Sequence, residues 1–131
     1  MRSCFLFGLW MSCSLLLGCG SSHESLAANA IDTLKEIADV LARIRDPKSA
    51  DAAKPQLQML GERWRNNEMR RKSEKPPSPR EITRLEKSYG PQMDAAMKRY
   101  LAEVARVQRI DGGNVALGEL GEVKRNPGGG P

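Results

Sequence analysis

The side chain best placed for covalent chemistry is a single thiol. Cys19 follows Leu16, Leu17 and Gly18 at the end of an apolar run over residues 4–17. A thiol is a nucleophile and a point of attachment, and Gly18 puts a small residue at the peptide bond before it. Other groupings offer less. His23-Glu24 supplies two metal-ligand types without the third and fourth that a site needs. Met93 and Met97 lie four residues apart, which is core spacing on a helix before it is a soft-metal pair. Gly112-Gly113 reads as a helix stop rather than a phosphate cradle. There is no Ser-x-x-Lys, Gly-x-Ser-x-Gly or His-Glu-x-x-His pattern. We therefore expect no catalytic residues, no enzyme, no metal and no dissociable cofactor.

The surroundings of Cys19 follow the plan of an export signal. Arg2 is the sole charge ahead of the run. The run is about 14 residues, short of the ~20 that span a bilayer. No basic stop-transfer cluster follows; Gly20, Ser21, Ser22, His23 and Glu24 come next. Leu16-Leu17-Gly18-Cys19 resembles the lipobox of bacterial lipoproteins position by position, though Leu17 is larger than the Ala or Ser common there. The resemblance implies signal-peptidase recognition through Leu16, Leu17 and Gly18 and cleavage after Gly18. It further implies a covalent diacylglycerol on the Cys19 sulfur and an N-acyl lipid on the new terminus. Gly20 stands where an inner-membrane retention signal has aspartate. The expected location is then the outer membrane facing the periplasm, or the outer face of the cytoplasmic membrane where no outer one exists. Two alternatives use the same residues differently: a secretory signal with a coincidental cysteine, or an uncleaved membrane helix. The remainder resembles small uncharacterised alanine-rich helical envelope lipoproteins, on Ser49-Ala50 with Pro55 and Tyr89-Gly90-Pro91 with Met93. That resemblance implies no activity and lends no site residues.

Composition sets further bounds. Cys4 and Cys13 would leave with residues 1–18 and Cys19 would carry lipid, so the mature chain has no thiol for a disulfide. The formal charge of +5 falls to +4 without Arg2. A basic exported chain favours acidic partners such as headgroups, wall polymers or acidic proteins, and export makes nucleic acid a poor partner.

Helical spacing fills most of the rest. Residues 26–45 carry Ala27, Ala30, Leu34, Ile37, Leu41 and Ile44 on one stripe, widened by Ile31, Ala38 and Val40. Asp46-Pro47 should end that helix. A second should begin near Ser49 or Asp51, bend near Pro55, carry Leu57, Leu60 and Trp64 inward, and fray before Lys75. Ser78-Pro79-Arg80-Glu81 is a strong start signal for a third. Its stripe keeps phase through Gly90-Pro91, which predicts one long kinked helix, with a full break as the alternative. Residues 115–123 could form a short last helix capped by Asn114, before a Gly/Pro tail.

The expected fold class is all-α: a small three-helix bundle, or a long hairpin with a kinked third helix, behind a cleaved signal helix. The expected division is residues 1–18 signal, 19–25 lipidated cysteine and tether, 26–111 helical domain, and 112–131 short helix and tail. Expected core residues are Leu34, Ile37, Leu41, Ile44, Leu57, Leu60, Trp64, Ile82, Leu85, Tyr89, Met93, Tyr100, Val104 and Val107. So small a core should be marginally stable, and residues 104–110 are the first candidate for a contact surface unless the last helix covers them. Arg63, Arg65, Arg70, Arg71, Lys72, Lys75 and Arg80 crowd one helix end and its loop, diluted by glutamates. Of these, Arg70, Arg71, Lys72 and Lys75 are candidates for contact with an anion; a solvated helix end is the simpler explanation. The expected function is a membrane-anchored structural or protein-interaction module with an envelope partner. The alternative is a binding protein for an anionic polymer, a lipid headgroup or a small ligand.

Overall fold

Apolar residues at three- and four-residue spacing need a surface to bury against, and here α-helices supply it to one another. The computed structural model describes residues 22–121, as α1 (Ser22–Ala42), α2 (Pro47–Ser73), α3 (Pro79–Val107) and α4 (Gly113–Gly118). The fold is all-α, a small bundle with no strand among the described residues. Residues 1–21, with Leu16, Leu17, Gly18 and Cys19, and residues 122–131 lie outside that range.

The central element is α1. Leu34, Ile37, Ala38 and Leu41 are fully buried, with Ile31 and Val40 nearly so, while Asp32, Lys35, Glu36, Asp39 and Arg43 face water. The stripe is wide because α1 has a helix on each flank: it packs against α2 and against α3. α2 returns antiparallel, so that Arg63 pairs with Glu36 at 2.7 Å and Asn67 Nδ2 donates to the Leu26 carbonyl at 3.1 Å. α3 runs parallel to α1. Arg84 meets Glu24 at 3.0 Å, Arg99 meets Asp39 at 2.6 Å, and Arg106 reaches the end of α1. Of the two expected arrangements, this is the small bundle.

Local chemistry moves several boundaries. α1 starts at Ser22, so residues 22–25, expected in the tether, are its first turn. Glu24 suits a helix N-terminus and is held by Arg84, while Ser22 Oγ donates to Glu74 at 3.1 Å. α1 stops at Ala42, short of Arg45, in a tighter turn where the Ile44 amide donates to the Leu41 carbonyl. α2 begins at Pro47, ahead of the expected Ser49 or Asp51. The Asp46 carboxylate accepts from the Ser49 amide at 2.7 Å, and Ser49 Oγ accepts from the Asp46 amide at 3.0 Å. Pro47 needs no amide hydrogen as the first helical residue. The proline expected as a stop is therefore also a start. Pro55 sits inside α2 and Pro91 inside α3, each in an exposed position, and the full break at Gly90 does not occur. Ser78 caps α3, accepting from the Glu81 amide at 3.3 Å.

The Asp46 cap carries a pH dependence. Bonding to Ser49 lowers the Asp46 pKa below its ordinary value of 3.8. A carboxylate with a depressed folded pKa stabilises above its unfolded pKa and loses that contribution as pH falls through the folded one. Asp46→Asn should therefore flatten the loss of thermal stability below about pH 4, read by circular-dichroism melts across that range.

The far end of the bundle, opposite Ser22, is closed. α4 packs between α2 and α3, burying Ala116, Leu117 and Leu120. It starts at Gly113 behind Gly112, whose φ of 78° needs glycine, and ends at Gly118, instead of spanning 115–123 from an Asn114 cap. Gly61 of α2 allows this approach, since a Cβ there would stand 3.0 Å from the Glu119 and Leu120 carbonyl oxygens. Of the two readings of residues 104–110, an uncovered contact surface or a stretch covered by the last helix, the second is the one seen, since α4 packs against α3. Val107 is fully buried, and Arg106 donates to the Leu41 carbonyl at 2.6 Å and the Ile44 carbonyl at 2.8 Å, with Glu103 at 2.8 Å bracing it. The last turn of α1 has no basic residue of its own, and Arg106 supplies the cation that its carbonyls favour. Arg106→Leu should cost about 1–3 kcal/mol, because two inward carbonyls lose a charged donor. Urea unfolding checks it; an unchanged midpoint would reject the capping role.

Candidate functional site

α2 and α3 do not pack against one another along their length; α1 lies between them, and α4 joins them only at the far end. At the other end, where α1 begins, the gap stays open as a cleft of about 680 Å³. That is within the ~300–1,000 Å³ of small-molecule sites. Leu26, Ala27 and Ala30 of α1 form its floor. Trp64 walls it on the α2 side, and half-buried Leu85, Met93 and Met97 on the α3 side. The prolines of the α2–α3 loop, Pro76 and Pro77, close its end.

The cleft follows from the stripes. After Trp64 the one apolar residue left in α2 is Met69, which faces water at 56% exposure, so the end of α2 offers α3 little to bury against. α3 nevertheless keeps its stripe down to its first turn. Expected core residues at that end are accordingly uncovered. Ile82 is 42% exposed, and Leu85, Tyr89 and Met93 are only half-buried, as is Val104 further along. The remaining nine expected core residues are buried.

The rim is charged with both signs. Arg71 and Lys72 stand on it with Glu68, Glu74 and Asp94. Arg71 donates to Glu68 at 2.9 Å, and that bond raises its pKa. His23 also borders the cleft, from the first turn of α1 and not from a loose tether. Its neighbour Glu24 is engaged by Arg84. No group of three or more His, Cys, Asp or Glu capable of holding a metal occurs among the described residues.

The basic cluster divides. Arg63 is a helix–helix contact through Glu36, and Arg71 is held by Glu68. Arg70, Lys72, Lys75 and Arg80 are exposed along the end of α2, the loop and the start of α3. They share the end of the bundle that carries the cleft and the start of α1. A second, polar recess of about 410 Å³ lies between α1 and α2, bordered by Asp32, Glu36, Arg63, Asn66 and Arg70.

No protein-family model, curated protein or solved structure matches this chain. The site is therefore read from its own chemistry. Among the described residues Tyr100 is the most buried ionisable side chain, and burial pushes its phenol up to about 12. The cleft itself presents apolar surface with carboxylates and cations at its edge. Trp64 is core and wall at once, while Met93 and Met97, expected at core spacing, are half-buried wall residues packed against the core. Sequence reasoning missed Asn67, whose buried amide ties α2 to α1 at the cleft's edge. A polar residue in phase with Leu57, Leu60 and Trp64 was the available signal.

Proposed function

We propose that this chain is a membrane-anchored envelope lipoprotein, held through lipid on Cys19, whose helical domain is a non-enzymatic structural or interaction module. The observation that carries this reading is what gathers at one end of the bundle. The open cleft, the uncovered stripe at Ile82 and the exposed cations Arg70, Lys72, Lys75 and Arg80 lie beside Ser22, three residues from the proposed anchor. No described helix is long and apolar enough to cross a membrane, and in this reading the lipid on Cys19 supplies the attachment. Crosslinking in intact cells, followed by mass spectrometry, tests the interaction role. One recurrent envelope protein partner is expected, linked through residues at the Ser22 end; a scatter of unrelated proteins would reject it.

The second reading is binding of an anionic surface, favoured by those same exposed cations. Each basic residue near an anionic membrane contributes ~1 kcal/mol, and salt screens it. Full-length Cys19→Ser protein should bind anionic phospholipid vesicles at low salt. Reversing Arg70, Lys72 and Lys75 to glutamate should reduce binding by at least ~10-fold. Sedimentation that ignores both salt and charge reversal would remove this reading.

A further inference from the structure

We propose that the cleft between α2 and α3 holds one acyl chain of the lipid on Cys19 whenever the protein is out of a bilayer. This rests on the lipid-anchor reading given above, and names what that anchor does when no membrane receives it.

The leash is short. Cys19 lies three residues before Ser22, a reach of at most ~11 Å. Ser22 is fixed at the mouth of the cleft by its bond to Glu74, and the next residue, His23, borders the cleft. A chain attached there meets the cleft at an effective concentration that short tethers put in the millimolar range. The lining suits hydrocarbon. Ala27 and Ala30 leave a floor without bulk, and Met93 and Met97 are unbranched side chains that adjust to an irregular guest. The rim does not select an ion. Two cations, Arg71 and Lys72, stand against three carboxylates, Glu68, Glu74 and Asp94. Recognition therefore falls to the apolar interior. Once a bilayer is present, the chain has a deeper apolar medium and leaves the half-open cleft for it.

Other occupants from the same polypeptide fit less well. The tail over residues 122–131 follows Gly121, one residue past the Leu120 that packs beside Gly61 midway along α2, and carries one large apolar residue, Val123. The apolar run over residues 4–17 is the competitor should it be retained, since it too enters beside Ser22.

A photoreactive fatty acid tests the assignment. Cells fed a diazirine-bearing fatty acid build it into the anchor; the mature full-length protein is purified, moved to detergent-free buffer, irradiated and digested. The expected result is label on peptides carrying Leu26 to Ala30, Trp64, or Met93 to Met97. Ala27→Trp, which fills the floor, should reduce that label several-fold with helical content unchanged, and Val115→Trp at the far end should leave it as in wild type. Label restricted to residues beside Cys19, or insensitive to Ala27→Trp, overturns the proposal while the lipoprotein reading stands. An intact mass lacking lipid overturns both.

Discussion

Cys19→Ser is expected to move the protein from the membrane fraction to the soluble or salt-extractable one, with complete loss of metabolic lipid labelling. The reason is the atom exchanged. A thiolate is the nucleophile that lipid transfer requires, and a hydroxyl at the same place ionises far too weakly to replace it. The energetic stake is large. Each methylene taken into a bilayer contributes ~0.8 kcal/mol, and a single chain binds only marginally whereas two or more anchor stably. Without lipid, residues 4–17 remain, shorter than the ~20 residues that span a bilayer. What attachment survives should come from the basic end of the bundle and disappear in high salt. A wild-type protein found wholly in the soluble fraction would reject the lipoprotein reading. Salt-resistant retention of Cys19→Ser would point instead to an uncleaved apolar helix.

The helices were legible in the sequence because their signals are local. The Leu34, Ile37, Leu41 stripe needs only 3.6-residue periodicity, and Ser78-Pro79 announces α3 within four residues. What was illegible depends on residues far apart in the chain. Ile82 continues the α3 stripe in phase, yet it is exposed, because the facing part of α2 has turned polar after Trp64. The periodicity of one helix says nothing about where its neighbour stops. Nothing in the sequence around Arg106 marks it as a cap, and its two bonds, to the Leu41 carbonyl of α1 and the Ile44 carbonyl just past it, span more than sixty residues. The cleft was missed for the same reason. Each of its walls reads as ordinary core, and only the separation of α2 from α3 makes it a cavity. The Asp46 start of α2 was a different failure: Asp-Pro followed by Ser was a complete start signal, overshadowed by its reading as a stop.

Gly113→Ala should be the most damaging single-atom change in the described domain. A Cβ at that position would lie 2.0 Å from the Val107 carbonyl oxygen and 3.0 Å from the Val107 carbonyl carbon and Cγ1. The oxygen contact is far inside van der Waals separation, and the obstacle is backbone, not a side chain that can swing away. Val107 cannot retreat easily. It is fully buried, and the preceding residue, Arg106, is bonded to α1. The strain must therefore lift α4, and with it Leu117 and Leu120, which have 0% and 1% exposure. Overpacking costs ~1–3 kcal/mol, and a buried leucine brought to the surface ~1.5–3 kcal/mol more. A net loss of about 3 kcal/mol would take a large share of the ~5–15 kcal/mol typical of a domain. It should lower Tm by roughly 10–20 °C for a chain of this size. Gly118→Ala is the control, because nothing lies within 4 Å of its Cβ position; it should be neutral or slightly stabilising. Equal melting of the two variants would mean that α4 is not docked as described. The consequence reaches the site, since α4 is what joins α2 and α3 at the far end. Undocking it should leave the two helices free to spread at both ends, and the cleft beside Ser22 would lose the fixed hinge that gives it a defined width.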